Sequence, residues 1–115
     1  MLGVMLDRDT LAPADLDLGR LQRSLPRWLS FDNTPPEARL ERLQGATIAV
    51  ANKVLLDAPL LDQASTLRLI CVAATGVNNI DLEAARRRGI AVCNVAGYST
   101  DSVAQHVFTL LLAIR

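Results

Sequence analysis

The 115-residue sequence is poor in aromatic residues, and its charges cancel. Aromatic side chains make up 3% of the chain and hydrophobic residues 50%, so the core must be built from aliphatic side chains. Twelve basic residues balance twelve acidic ones, which argues against a nucleic-acid or anionic-membrane surface. No apolar run approaches the roughly 18 residues of a membrane span. Acidic residues close to the N-terminus argue against a signal peptide, and we expect a cytoplasmic protein.

Metal-ligating residues are equally scarce. The two cysteines, Cys71 and Cys93, stand in apolar runs typical of strands, and we expect both to be buried as small hydrophobic residues. The single histidine, His106, cannot complete a zinc site with them, so no metal is predicted. Because its neighbours are apolar, His106 is interpreted as a packed or interface residue rather than a catalyst.

Three nucleotide-binding or catalytic motifs are absent from the sequence. The six glycines never reach G-x-G-x-x-G spacing, and neither a P-loop nor a G-x-S-x-G motif occurs. These residues therefore cannot bind a dinucleotide pyrophosphate in the usual Rossmann manner.

Strand-like and helical patterns alternate along the chain. The strand-like segments cover residues 4–6, 28–31, 47–51, 67–74 and 90–95. Short helical connections between them predict a parallel sheet with right-handed crossovers. At this length the flavodoxin-like strand order 2-1-3-4-5, flanked by helices, is the natural α/β candidate. Segment 67–74 is almost entirely apolar, which is typical of a central strand buried on both faces.

Helix boundaries are marked by side chains of known preference. Thr34 followed by Pro35 and Glu37 predicts a helix capped by Thr34, and Gly89 marks the end of a helix that begins near Asp81. The last helix begins at Ser99 and is apolar on nearly every side. We therefore expect residues 1–98 to form one domain, and residues 99–115 to form a helix that begins a second domain, which this chain lacks.

Candidate ligand-binding residues follow the strands, where parallel sheets bind ligands. Asn52 and Lys53 follow strand 3, and Lys53 is the only lysine beside eleven arginines. It is a candidate for binding an anionic substrate, although a solvated lysine is the commoner situation. The sequence Thr75-Gly76-Val77 follows strand 4. Glycine there can turn backbone N–H groups toward a carboxylate or phosphate, and a tight turn that needs glycine for its own geometry is an equally good explanation.

Longer stretches make the chain recognisable. They cover residues 69–81 (LICVAATGVNNID), 88–94 (RGIAVCN) and 102–106 (SVAQH). Over essentially the whole chain the sequence resembles the D-isomer-specific 2-hydroxyacid dehydrogenases, and within them the glycerate dehydrogenase (hydroxypyruvate reductase) branch.

This resemblance implies a two-domain enzyme that moves a hydride between NAD or NADP and a small 2-oxo or 2-hydroxy acid. On that analogy the backbone around Thr75, Gly76 and Val77 grips the substrate carboxylate, and Asn52 and Lys53 line the same cleft.

The resemblance also implies that residues 99–115 are the first helix of a Rossmann domain that this chain lacks. Thr100 and Val103 would lie against the nicotinamide side of the cofactor, and the helix would pack between domains and across a homodimer. The family's glycine-rich loop and its catalytic arginine, glutamate and histidine lie beyond residue 115. No catalytic residue is therefore assigned here, and the chain alone is expected to be inactive and to bind no cofactor tightly.

The sequence also permits comparison with two other kinds of protein, a receiver domain and a non-catalytic module. A receiver domain shares the fold, but Asn52 stands where its phospho-accepting aspartate should be, and no lysine follows strand 5. A non-catalytic module for binding small acids or for dimerisation stays open. Within the enzyme class, Ala73, Ala74 and Val77 offer no basic group for a phosphate, which favours an unphosphorylated substrate.

Overall fold

Five parallel strands form one sheet in the computed structural model, which describes residues 1–114, Pro13 by its backbone alone. They are β1 (Leu2–Met5), β2 (Arg27–Ser30), β3 (Ile48–Ala51), β4 (Leu69–Val72) and β5 (Ala91–Cys93). The strand order is β2-β1-β3-β4-β5, and every neighbouring pair is parallel. The predicted flavodoxin-like order 2-1-3-4-5 is confirmed.

Within residues 1–114, five α-helices lie between the strands or follow the last of them. They are α1 (Gly19–Gln22), α2 (Arg39–Leu43), α3 (Ala58–Gln63), α4 (Leu82–Arg87) and α5 (Thr100–Ala113). The carboxylates of Asp57 and Asp81 cap α3 and α4 by accepting the N–H groups of Leu60 at 3.2 Å and of Ala84 at 2.9 Å. Gly89, with φ of +66°, lies just beyond α4, as its position in the sequence predicts.

The predicted cap at Thr34 is wrong. A 3₁₀ turn (Pro36–Ala38) precedes α2, and its N-cap residue is Pro35. The Thr34 hydroxyl instead donates to the carbonyl oxygen of Leu6, 2.5 Å away. This bond satisfies a backbone acceptor beyond the end of β1. Capping rules consider only neighbouring residues, so they do not predict a partner this distant in the sequence.

The hydrophobic core lies on one face of the sheet. Alternate residues of the central strands point into it and are at most 2% exposed, among them Val4, Ala49, Ile70 and Val72. Helices α2, α3 and α4 cover this face with the buried side chains Leu43, Leu60, Leu61, Ala84 and Ala85.

The opposite face is covered less completely toward β5. Leu69 and Cys71 of β4 are only half-buried, and Cys93 of β5 is exposed. The predictions that strand 4 is buried on both faces and that Cys93 is buried are therefore wrong. The physical reason is that no segment within residues 1–114 covers this part of the sheet as α2–α4 cover the other face.

Helix α5 packs against none of the sheet's core residues. All of its side chains are exposed, Phe108 to 66% and Leu112 to 65%. It begins where the sequence predicts, with Ser99 as its N-cap, while Arg115 lies outside the described residues. No helix of the described chain is long and apolar enough to cross a membrane.

Candidate functional site

Two loops meet at the carboxyl edge of the sheet, one after β3 and one after β4. An isolated parallel bridge pairs Leu56 with Ile80, and the Leu56 N–H donates to the carbonyl oxygen of Asn79 at 2.8 Å. The side-chain amide of Asn79 donates to the carbonyl oxygen of Val54 at 2.9 Å. These bonds hold the two loops at a fixed separation.

A polar cleft of about 260 Å³ lies between the loops. It is lined by Asn52, Lys53, Ala74, Gly76, Asn78 and Asn79. Three of the predicted site residues, Asn52, Lys53 and Gly76, are thus brought together. Parallel strands place their carboxyl ends at the same edge, which is why residues more than twenty positions apart converge here.

Thr75 and Val77 stand beside the cleft rather than in its lining. The Thr75 hydroxyl donates to the carbonyl oxygen of Val95 at 2.8 Å, and the Val77 side chain packs against the core. Their side chains serve the loop's structure, so only their backbone groups are available to a ligand.

The loop after β4 carries a row of free donors. Within residues 1–114 the backbone N–H groups of residues 75–79 donate to no oxygen, whereas the N–H of Ile80 donates to Val77 at 3.0 Å. Lys53 is exposed and forms no ion pair with any described acid. Free N–H groups beside an ammonium make a site chemically suited to a carboxylate.

Gly76 is not required by the backbone of its turn. Its φ is not positive, unlike that of Gly45, Gly89 and Gly97. A Cβ added there would approach only the Asn78 Oδ1, at 3.0 Å. The tight-turn explanation left open by the sequence is therefore not supported, and the missing side chain leaves the cleft open instead.

Sequence reasoning places Asp7 at the carboxyl end of strand 1 but does not predict which residues support the two loops. Asn94 donates from its side-chain amide to the Thr75 carbonyl oxygen at 2.7 Å, and Asn79 joins the two loops. Buried Asp7 and its neighbour Thr10 contact the loop after β3. Asp7 and Asn94 each follow an apolar run directly, a signal that places them at the edge of the sheet but assigns them no partner.

The family is decided by direct comparison. The D-isomer specific 2-hydroxyacid dehydrogenase catalytic domain matches residues 12–109 of the chain. The chain belongs to this family. The resemblance inferred from the sequence is thereby confirmed.

Individual relatives agree with the family. A putative 2-hydroxyacid dehydrogenase of Haemophilus influenzae is 41% identical over 98 residues, which are 80% of this chain and 31% of that protein. A glycerate dehydrogenase of Methylorubrum extorquens is 40% identical over 114 residues, 97% of this chain and 35% of that protein. The chain spans about a third of the length of these relatives.

A solved structure shares the fold. An acyclic imino acid reductase in complex with NADPH and D-Arg superimposes with a TM-score of 0.84 at 24% identity. The superposition covers 99% of this chain and 37% of that one.

Two residues that the family resemblance assigns to the cofactor do not line the cleft. Thr100 and Val103 lie in the first turn of α5, where both are exposed and Val103 is 58% accessible. His106, one turn further on, is exposed as well, so it is not packed within the described chain. No group of three or more histidine, cysteine or acidic residues gathers closely enough to hold a metal ion within the part of the chain that the structure describes.

The two thiols lie on neighbouring strands. Cys71 and Cys93 are register partners between β4 and β5. Burial raises the pKa of the Cys71 thiol, and the nearby Cys93 raises it further. Neither thiol reaches the cleft lining, so they take no part in the candidate site.

Proposed function

We propose that the cleft between the loops after β3 and β4 binds the carboxylate of a small 2-oxo or 2-hydroxy acid, as part of a NAD- or NADP-dependent D-2-hydroxyacid dehydrogenase. The observation that carries the proposal is the row of free N–H groups at residues 75–79, in a loop that borders the cleft lined by Lys53. A carboxylate accepts several such bonds at once, and the ammonium balances its charge.

Hydroxypyruvate and glycerate are the substrates that we favour. Among the described residues 1–114, Lys53 is the only charged residue that lines the cleft, and one cation matches one carboxylate better than a carboxylate and a phosphate together. The relative from Methylorubrum extorquens, which matches almost the whole chain, is a glycerate dehydrogenase.

This chain's own residues bind and orient the acid. Lys53 and the N–H groups of residues 75–79 would fix the carboxylate and so hold the adjacent carbonyl carbon in one place. A bound NADH or NADPH supplies the hydride. Exposed Thr100 and Val103 fit a contact with the nicotinamide ring, whereas the glycine spacing fits no pyrophosphate loop. We therefore assign no catalytic residue here, and residues 1–115 alone should neither hold the cofactor tightly nor transfer hydride.

Helix α5 is proposed to pack between domains and against a second copy of the chain, beyond a substrate domain formed by residues 1–98. Large apolar side chains are exposed along its length, including Phe108, Leu111 and Ile114. Sedimentation equilibrium should show a dimer that Leu111→Glu converts to a monomer. A wild-type chain that is monomeric at every concentration would contradict this assignment.

The binding proposal is tested by comparing three ligands in an NMR titration of the ¹⁵N-labelled chain. Hydroxypyruvate should shift the amide signals of Lys53 and residues 75–79. Hydroxyacetone, which replaces the carboxylate with a methyl group, should shift none of them, and 3-phosphohydroxypyruvate should bind no more tightly than hydroxypyruvate. Equal responses to hydroxypyruvate and hydroxyacetone would exclude a carboxylate site.

A further inference from the structure

Asp7 is a buried charged residue just beyond the end of β1. Its side chain is 3% exposed, and no other charged side chain of residues 1–114 is buried. A buried carboxylate is costly unless donors surround it. The hydrogen-bond donors around the Asp7 carboxylate therefore indicate its structural role.

Three successive backbone N–H groups bind the Asp7 carboxylate. Asn52 donates to Oδ1 at 2.9 Å, and Lys53 and Val54 donate to Oδ2 at 2.5 Å and 3.1 Å. All three belong to the loop after β3, more than 40 residues further along the chain. The carboxylate thus fixes the backbone of the loop that carries Lys53.

The same segment also holds the side chain of Asn52. The Thr10 hydroxyl donates to the Asp7 carbonyl oxygen at 2.7 Å and accepts the Asn52 side-chain amide at 2.9 Å. Backbone and side chain of the loop after β3 are therefore both bound to the segment that follows β1.

This arrangement divides the donors around the cleft into two sets. The N–H groups of residues 52–54 are occupied by Asp7, while those of residues 75–79 are free within the described chain. Three donors offset the charge of the aspartate, which would otherwise repel an anion nearby.

We propose that Asp7 is a positioning residue for anion binding, because its carboxylate holds the loop after β3 in the conformation that presents Lys53 to the cleft. This inference rests on the proposed binding of a carboxylate there. The negative charge of Asp7 would by itself lower the affinity for an anion, whereas the positioning role means that Asp7 raises this affinity.

The test compares Asp7→Asn with Asp9→Asn. Asp9 lies two residues away, is exposed, and its side chain forms no hydrogen bond within residues 1–114, so both variants lose the same charge from the same segment. Charge alone would make each variant bind hydroxypyruvate more tightly. We expect Asp7→Asn to bind about tenfold more weakly, because an amide cannot accept all three N–H groups, and Asp9→Asn to bind at least as tightly as the wild type.

Amide hydrogen exchange provides a second readout that needs no ligand. In the wild-type chain the amides of residues 52–54 should exchange at least about tenfold more slowly than those of residues 75–79, and Asp7→Asn should abolish the difference while Asp9→Asn preserves it. If Asp7→Asn fails to fold, the wild-type exchange pattern alone still decides whether the loop after β3 is held.

Each result has a definite meaning. Equal exchange in the two wild-type loops, or an Asp7→Asn variant that folds and binds as tightly as Asp9→Asn, would overturn the role of Asp7. A wild-type chain that does not respond to hydroxypyruvate would instead refute the proposed function, and the exchange pattern would then report on the loop separately.

Discussion

The side-chain amide of Asn94 donates a hydrogen bond to the carbonyl oxygen of Thr75 across 2.7 Å. The Thr75 hydroxyl in turn donates to the carbonyl oxygen of Val95 at 2.8 Å, and the Val95 N–H donates to Ala74 at 3.0 Å. The loop after β4 is thus tied to the segment that follows β5. Its free N–H groups are held in place by a neighbouring strand.

Replacing Asn94 should weaken ligand binding without unfolding the chain. Asn94→Ala removes the bond to Thr75, and we expect about threefold weaker binding of hydroxypyruvate, with the free energy of unfolding lowered by less than about 1 kcal/mol because the site is exposed. NMR titration and thermal unfolding measure the two effects. Asn33→Ala is the control, since the Asn33 side chain is exposed and forms no hydrogen bond within the described chain. Equal effects of both variants on affinity would contradict the role of Asn94.

Two glycine substitutions should produce opposite effects. Gly76→Ala adds a methyl group beside the cleft without demanding a positive φ, so affinity should fall while stability is retained. Gly45→Ala lies at φ of +74° with no atom within 4 Å, so it should cost about 1 kcal/mol of stability through backbone strain and leave affinity unchanged. Chemical denaturation measures the stability of both variants, and titration with hydroxypyruvate measures their affinity. A Gly76→Ala variant with wild-type affinity would show that the space beside Gly76 is not used.

Lys53 should contribute to the affinity for hydroxypyruvate through its charge rather than through the shape of its side chain. We expect Lys53→Met to bind hydroxypyruvate about tenfold more weakly, and Lys53→Arg to retain most of the affinity. Wild-type affinity should fall with added salt, and the Lys53→Met variant should lose most of this dependence. Arg68→Met is the matched control, because Arg68 is exposed and precedes β4 at the opposite edge of the sheet. An equal loss in that variant would point to overall charge instead of Lys53.

The two thiols should differ in reactivity. Burial raises the pKa of Cys71 above its ordinary value of 9.0, so near neutral pH its thiolate fraction is smaller than that of an unperturbed thiol. Cys93 is exposed, and iodoacetamide should alkylate it first, while the alkylation rate at Cys71 should level off only at a higher pH than that of an unperturbed thiol. Peptide mass spectrometry of wild type, Cys71→Ser and Cys93→Ser distinguishes the two sites. Faster alkylation of Cys71 at neutral pH would contradict the environment assigned to it.

The sheet was predictable because its determinants are local. Short apolar runs between polar loops mark most of the strands, and the connections are short, so parallel pairing and strand order follow from general rules. The convergence of Asn52, Lys53 and Gly76 follows from the same topology, since parallel strands deliver their carboxyl ends to one edge.

What the sequence did not predict depends on distant partners. Asp7 could not be matched to the N–H groups of residues 52–54, because no local pattern records which loop closes over a buried carboxylate. Thr34 fits a capping pattern, yet its hydroxyl donates to the carbonyl oxygen of Leu6, just beyond the end of β1. Cys93 stands in an apolar run, and its exposure depends on what covers that face of the sheet rather than on the run itself.

The most direct test of the account is a crystal structure of the chain with oxalate, a stable planar analogue of a 2-oxo acid. One carboxylate should lie within about 3.2 Å of backbone nitrogens among residues 75–79, with the Lys53 ammonium beside it. Oxalate bound elsewhere, for example at the N-terminus of α5, with the loop after β4 left unliganded, would contradict the assignment of the cleft as the carboxylate site.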